Sequence, residues 1–446
     1  MAGEPAPLHV VVIGAGIIGA ATAMELLADG HRVSIVEPGD PGGEQAASYG
    51  NGCWLNPASV APMSMPGLWR KVPGYLANPL GPLAIRWRYL PHLAPWLWRY
   101  ARAGASVARV AAIARALAPL LAEAPARHKR LAAQAGVGEL IEQKGLLYVF
   151  PSRADFEAEA LAWRLRRDNG IAWIELDHDE LQQREPDLDR RYGFGVLVEA
   201  GGHCTDPGAY VAALVREAVA RGAHLQRTRA WGFRITQGRL AAVRTDQGEI
   251  ACDRAVIAAG AFSKMLAMAA GDRVSLETER GYHAVILDPE GGPSTPLMPS
   301  DGKMANSLTR CGLRIAGQVE LASLAARPNW RRAEILRDFA LRAYPRLPRT
   351  LPPERVRFWM GHRPATPDSL PCIGPASASP DILHAFGHGH VGLAAGATTG
   401  RLVADLVGGK QPAIDLSPYS PQRFSELPLT RSGFSTTFRI RRHLRR

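Results

Sequence analysis

The spacing of apolar and polar positions changes several times along the chain, and each change marks an element. Residues 9–13 (HVVVI) are a β-branched run that predicts a buried strand. Behind it, Gly14-Ala15-Gly16-Ile17-Ile18-Gly19 opens an apolar pattern through Met24, Leu26 and Leu27 to Gly30, the signature of a buried helix. A second β-rich run, residues 33–36, ends at Glu37. From 66 to 104 the order breaks into an aromatic, basic, proline-interrupted segment carrying Trp69, Trp87, Trp96 and Trp98. Residues 106–133 predict an Ala/Leu/Arg helical hairpin interrupted at Pro119 and Pro125, residues 145–150 a strand, and 155–169 a charged helix.

At residue 203 strand and helix begin to alternate again. Asp206 is placed to cap a helix whose first residue is Pro207 and which Gly222 closes. Residues 224–226, 231–235, 240–245 and 249–252 alternate around turns as a β-meander does, and RAVIAAG (254–260) predicts a buried strand ending in small residues. Residues 275–359 predict a second sheet with one helix over 330–344. After the Pro- and Gly-rich stretch GHRPATPDSLPCIG (361–374) comes a strand-like run, 382–387, and then His388-Gly389-His390-Val391-Gly392 turning into a helix that reaches Val407.

The first of these units is strand, glycine turn, helix, strand and acid in the order of a dinucleotide-binding βαβ fold. Gly14 permits the tight turn, Gly16 lets backbone approach a pyrophosphate, and Gly19 allows close helix–sheet packing. The helix N-terminus offers free N–H groups and partial positive charge to phosphates. Glu37 can accept hydrogen bonds from ribose hydroxyls. The motif alone leaves NAD and FAD both open, but a nicotinamide enzyme would continue in βα units, whereas here the pattern stops near residue 55 and resumes near 203.

Composition narrows the class. The 446 residues are 46% hydrophobic and 21% charged, enough for two globular domains. Five widely spaced cysteines show neither a disulfide framework nor metal-ligand spacing, so no metal is expected. No secretory leader or run of 18 apolar residues is present, which predicts a cytoplasmic chain. The formal charge is +12, and half of it comes from six arginines in the last sixteen residues. Such a tail suits phosphate-rich partners, nucleic acid or anionic lipid, or simply solubilises the end.

Taken in order, GAGIIG with Glu37, the Ser48-x-x-Asn51-Gly52 segment, VIAAG, Arg280-Gly-Tyr282, GHRPATPD and GHGHVGL resemble the FAD-dependent D-amino-acid oxidase superfamily. They are most similar to its D-amino-acid dehydrogenase small-subunit branch, over residues 9–409. The resemblance implies an α/β fold: a discontinuous Rossmann-type FAD-binding domain (8–85, 203–274, 361–415), a β-rich α+β substrate domain (86–202, 275–360) and a basic tail (416–446). It implies that Gly14, Ala15, Gly16, Ile17, Ile18, Gly19 and Glu37 hold the ADP half of FAD. Ser48, Asn51, Gly52, Ala259 and Gly260 would lie along the cofactor. Gly387, Gly389, Val391 and Gly392 would meet the isoalloxazine carbonyl.

By the same resemblance Arg363 takes the place of the arginine that binds the substrate carboxylate, with Tyr282 as a second contact and His388 and His390 beside substrate or flavin. Covalently flavinylated sarcosine oxidases carry a cysteine where this chain has Gly361, so noncovalent FAD is expected. The implied reaction is oxidation of a D-amino acid to a 2-oxo acid and ammonia by hydride transfer from Cα to flavin N5. Electrons would then pass to a quinone or another carrier; the Trp/Arg segment suits either the core of the substrate domain or a surface that meets the inner face of the membrane, which a quinone-reducing enzyme would need. A D-hydroxyproline or other secondary-amine dehydrogenase is the alternative within the superfamily. An RNA-modifying flavoprotein is the alternative of another class; against it, no RNA-binding module is present and the positive charge is concentrated at one end.

Overall fold

A computed structural model describes residues 6–68 and 83–425. Trp69 and most of the basic tail lie outside them. The βαβ unit forms as the pattern predicts: strand His9–Ile13, helix Ile17–Ala28 and parallel strand Arg32–Val36. Gly14 adopts φ +106°, and a methyl group there would lie 2.5 Å from the Ala258 carbonyl oxygen, so the turn requires glycine. Strands His224–Gln226, Arg254–Ile257, Cys372–Pro375 and Ile382–Phe386 complete a six-stranded sheet drawn from three separate stretches of chain. Of the expected meander, residues 224–226 thus leave to extend this sheet, and the other three strands (230–236, 239–245, 248–251) form a small sheet of their own.

Helix Gly392–Val407 lies against helix Ile17–Ala28 with glycines at the contact. A methyl at Gly396 would meet Ile17 at 2.8 Å, and one at Gly400 would meet the Ala21 and Thr22 backbone at 2.8 and 2.9 Å. Because residues ascend together along the two helices, they are parallel, and their N-termini open toward the same side.

The second sheet runs in the order 356–365, 277–286, 312–321, 305–309, 297–299, 146–150, 194–198 and 174–176, with 83–85 paired to 312–321. Helix Arg331–Ala343 covers it through Leu336, Phe339 and Ala340.

Three boundaries differ from those expected. Helices Val107–Leu121 and Ala124–Gln134 pack into the dinucleotide-domain core through Val110, Leu117, Leu121 and Leu131, because the apolar face of that hairpin finds helix 392–407 rather than the second sheet. Residues 83–85 and 361–365 are strand residues of the second sheet. Residues 416–425 are not tail: Tyr419 and Phe424 are buried, and Arg423 pairs with Asp368 at 2.8 Å.

Candidate active site

The six-stranded sheet brings its glycine turns to one edge. The turn at 14–19, Glu37 and the Ala258–Gly260 turn follow the carboxyl ends of neighbouring strands, where open α/β sheets bind ligands. Glu37 Oε2 accepts from Ala15 N–H at 2.9 Å and Oε1 from Gly39 N–H at 3.0 Å, which fixes the carboxylate beside the turn. Ser48 Oγ accepts from Ile17 N–H at 3.0 Å, so the serine also lies at this helix N-terminus. Gly16 accepts the first helical bond, from Ala20, and Ile18 is buried.

The residues fit a long, partly anionic cofactor. Helices 17–28 and 392–407 both begin without a capping side chain of their own and without an acid in the first turn. Two such N-termini, pointing the same way, present amide N–H groups and positive dipole ends at separate points of one crevice. A methyl group placed on Gly260 or on Gly389 would have no atom within 4 Å, so there is open space beside both turns. Gly387 (φ +88°) and Gly389 (φ +52°) shape the second turn, where Val391 N–H donates to the His388 carbonyl.

Over this crevice lies the edge of the second sheet, where strand Glu277–Ile286 pairs with Val356–Ala365 and places Glu279 opposite Arg363 and Gly281 opposite Gly361. Alternation divides strand 277–286 into two faces. Glu277, Glu279, Gly281 and His283 share the near face with Arg363. His283 Nδ1 meets the Gly50 carbonyl at 3.0 Å and stacks on Trp359, which itself donates to the Glu44 carbonyl, so this face meets the dinucleotide domain.

Arg363 lies flat across Gly281: a methyl at 281 would fall 2.2 Å from its Cζ. Its Nη1 and Nη2 donate to the carbonyls of Gln318 and Gly317 at 3.0 and 3.4 Å. Those carbonyls are turned toward it by an irregularity in the 277–286/312–321 pairing, with Gln318 at φ +60°. These two bonds leave the other N–H groups of the guanidinium for a ligand. Burial, opposed by the Glu279 charge, lowers the Arg363 pKa, and the group remains a cation.

His390 joins Arg363 here; its Nδ1 is 3.4 Å from Glu279 Oε2, on a side chain that keeps part of its surface exposed. His388 points elsewhere. It is buried, its Nε2 lies 2.9 Å from Thr399 Oγ1, and burial holds it near 3, so it ties the turn to the following helix. Tyr282 is on the far face, where its hydroxyl donates to Glu320 at 2.6 Å and accepts from Asn329 N–H at 3.0 Å. Arg280 and Arg86 reach the same carboxylate at 3.1 and 2.9 Å, at the wall of a separate cleft of about 400 Å3. Asn51 and Gly52 form the crossing between domains: Asn51 Oδ1 accepts from Cys53 N–H, and Gly52 faces Ala305.

Glu279, Gly281, Trp359 and the 317–318 carbonyls were not singled out by sequence reasoning. The alternation in ETERGYH puts Glu277, Glu279, Gly281 and His283 on one face, and that signal was available.

Comparison with known proteins identifies the family to which this fold belongs. The profile described as DAO, FAD dependent oxidoreductase, matches residues 9–406. The chain belongs to this family. FAD is therefore its cofactor, in keeping with the paired helix N-termini. It is 57% identical over 94% of its length, and the whole length of the relative, to a protein named D-amino-acid oxidase from Bradyrhizobium diazoefficiens. It is 29% identical, over 94% and 99% of the two chains, to a D-amino acid dehydrogenase from Paramagnetospirillum magneticum. The crystal structure of glycine oxidase from Geobacillus kaustophilus shares the fold, with a TM-score of 0.67, 24% identity and coverage of 93% and 99%.

Proposed function

We propose that this family member oxidises free D-amino acids to 2-oxo acids and ammonia. The observation that carries the reading is Arg363, presented over Gly281 on the face that meets the dinucleotide domain, beside the His390 turn. A guanidinium in that place holds a carboxylate through two parallel charge-assisted bonds, about 1.5–3 kcal/mol each when shielded from water. Flavin, when bound, supplies the hydride acceptor. Arg363 then fixes which carbon faces it, and the imino acid formed by oxidation at that carbon is hydrolysed by water to the 2-oxo acid and ammonia. The 57% identity to a protein named D-amino-acid oxidase supports the D-configuration of the substrate.

The same similarity supports oxygen as electron acceptor. A quinone or other carrier is the second reading. It is favoured by the dehydrogenase names of more distant relatives and by one surface: Trp87 and Trp98 are 63% and 51% exposed, and Arg102 lies over the Trp98 ring at 5.4 Å. Aromatic rings with cationic side chains suit a water–lipid boundary, so this reading includes peripheral contact with the inner face of the cell membrane. Among the described residues no single helix is long and apolar enough to cross one. FAD held noncovalently is supported at Gly361, where the Trp359 ring would lie 2.0 Å from any side-chain carbon.

Purified, FAD-loaded protein assayed with D-alanine, cis-4-hydroxy-D-proline and sarcosine, with oxygen and with a quinone analogue, tests these readings together. Turnover of D-alanine with oxygen consumed is expected. Turnover of sarcosine alone would move the substrate to secondary amines, and a rate seen only with the quinone analogue and liposomes would establish the second acceptor.

A further inference from the structure

Two glutamates stand two residues apart on the near face of strand 277–286 in unlike surroundings. Glu277 is closed off: Oε1 accepts from Lys264 Nζ and Oε2 from the Tyr89 hydroxyl, both at 2.6 Å. Glu279 is 5% exposed, yet no donor satisfies its Oε2. The charged or titratable groups that face it are Arg363, from the neighbouring strand, and His390, from the 389–391 turn. Gly281 and the 317–318 carbonyls, on which Arg363 lies, bring no charge. Burial pushes the Glu279 carboxyl up to about 7 against the pull of Arg363. The fold therefore supplies Glu279 with a neighbouring cation but no hydrogen-bonded one, an arrangement that buried carboxylates otherwise avoid.

A free amino acid carries a carboxylate and an ammonium on one carbon, and the arginine and glutamate here are adjacent across one strand pair. We propose that Glu279 receives the α-ammonium group of the substrate whose carboxylate Arg363 holds, and removes one proton from it. The step converts R–NH3+ and Glu–COO− into R–NH2 and Glu–COOH; one N–H bond breaks, one O–H bond forms, and no electrons are exchanged. Only the neutral amine has the lone pair that must move toward Cα as the Cα–H bond breaks. His390 Nδ1 lies 3.4 Å from the same carboxyl oxygen, on a side chain that is 30% exposed. The inference rests on the reading of Arg363 as carboxylate anchor.

The pair 2-aminoisobutyrate and isobutyrate separates the two claims, since both carry the carboxylate, only the first carries the ammonium, and neither is a substrate: the first lacks a Cα–H and the second an amine. Binding to oxidised, FAD-loaded enzyme is followed by flavin absorbance. In Glu279→Gln, affinity for 2-aminoisobutyrate should fall about 30-fold while isobutyrate binds as well as to wild type or better. In steady-state kinetics, kcat/KM for D-alanine should rise through about pH 7 in wild type and lose that limb in Glu279→Gln. Glu279→Asp, which keeps the charge, should retain part of the preference for the aminated ligand. If Glu279→Gln binds 2-aminoisobutyrate as wild type does, or loses both ligands equally, the inference is overturned. If Arg363→Ala binds isobutyrate undiminished, the anchor reading fails and the inference falls with it.

Discussion

The two faces of strand Glu277–Ile286 carry similar residues and treat them in opposite ways. On the far face, Glu320 gathers Arg86, Arg280 and the Tyr282 hydroxyl, and Arg332 donates to the Gln318 side chain; Arg280 and Arg332 are fully buried within this network. On the near face, Arg363 is given two carbonyls, and the Oε2 of Glu279 is given no donor within the fold. The far-face cations Arg86 and Arg280 have a carboxylate within ion-pair distance even where single N–H groups of Arg280 lack a hydrogen bond, whereas Glu279 has no arginine or lysine within that distance among the described residues, and a buried charge without a close counter-charge is available to a ligand. Position relative to the dinucleotide domain decides which kind a given residue is.

That contrast is open to direct attack. Glu320→Gln should cost the most stability, about 3–5 kcal/mol in a denaturant titration, because it strands buried Arg280 without a counter-charge; KM for D-alanine should stay put. Equal damage to KM would mean that the far-face network reaches the site.

Glu279→Gln should do the reverse. A carboxyl raised to about 7 is protonated more readily in the fold than in the unfolded chain, so the stability associated with its neutral form is lost as pH rises from about 4.5 through 7. The variant should therefore be more stable than wild type at about pH 8, by up to ~3 kcal/mol, with the difference vanishing below about pH 4.5. A variant less stable at the higher pH would show that Glu279 is already satisfied in the fold.

Gly281→Ala pushes a methyl into the Arg363 guanidinium and should raise KM for D-alanine about 10- to 100-fold, with far smaller changes in melting temperature. Tyr282→Phe should have the smallest effect, about 1–2 kcal/mol of stability from the lost bonds to Glu320 and Asn329, and leave KM unchanged. A tenfold rise in KM would instead return Tyr282 to the substrate.

Much of the dinucleotide half was readable in the sequence because its signals are local: a β-branched run, glycines at fixed spacing, an acid at the end of the next strand. Which core the 107–134 hairpin joins was not readable, since an Ala/Leu face states only that it must be buried. The site was legible as a set of residues, yet its faces were not. The alternation in ETERGYH separates Glu279 from Tyr282, but only the pairing with strand 356–365 and the His283–Gly50 contact turn Glu279 inward and Tyr282 away. His388 and His390 likewise read alike in GHGHVG, and the Thr399 hydroxyl, one helix further on, distinguishes them.

The central claim is that Arg363 anchors a D-amino acid against FAD, and anaerobic mixing of FAD-loaded protein with D-alanine while flavin absorbance is followed tests it most directly. Wild type should bleach, and Arg363→Ala, carrying as much FAD, should bleach at least about a thousandfold more slowly at subsaturating substrate. Bleaching at the same rate in both proteins, or no bleaching of wild type by any D-amino acid tried, would contradict it.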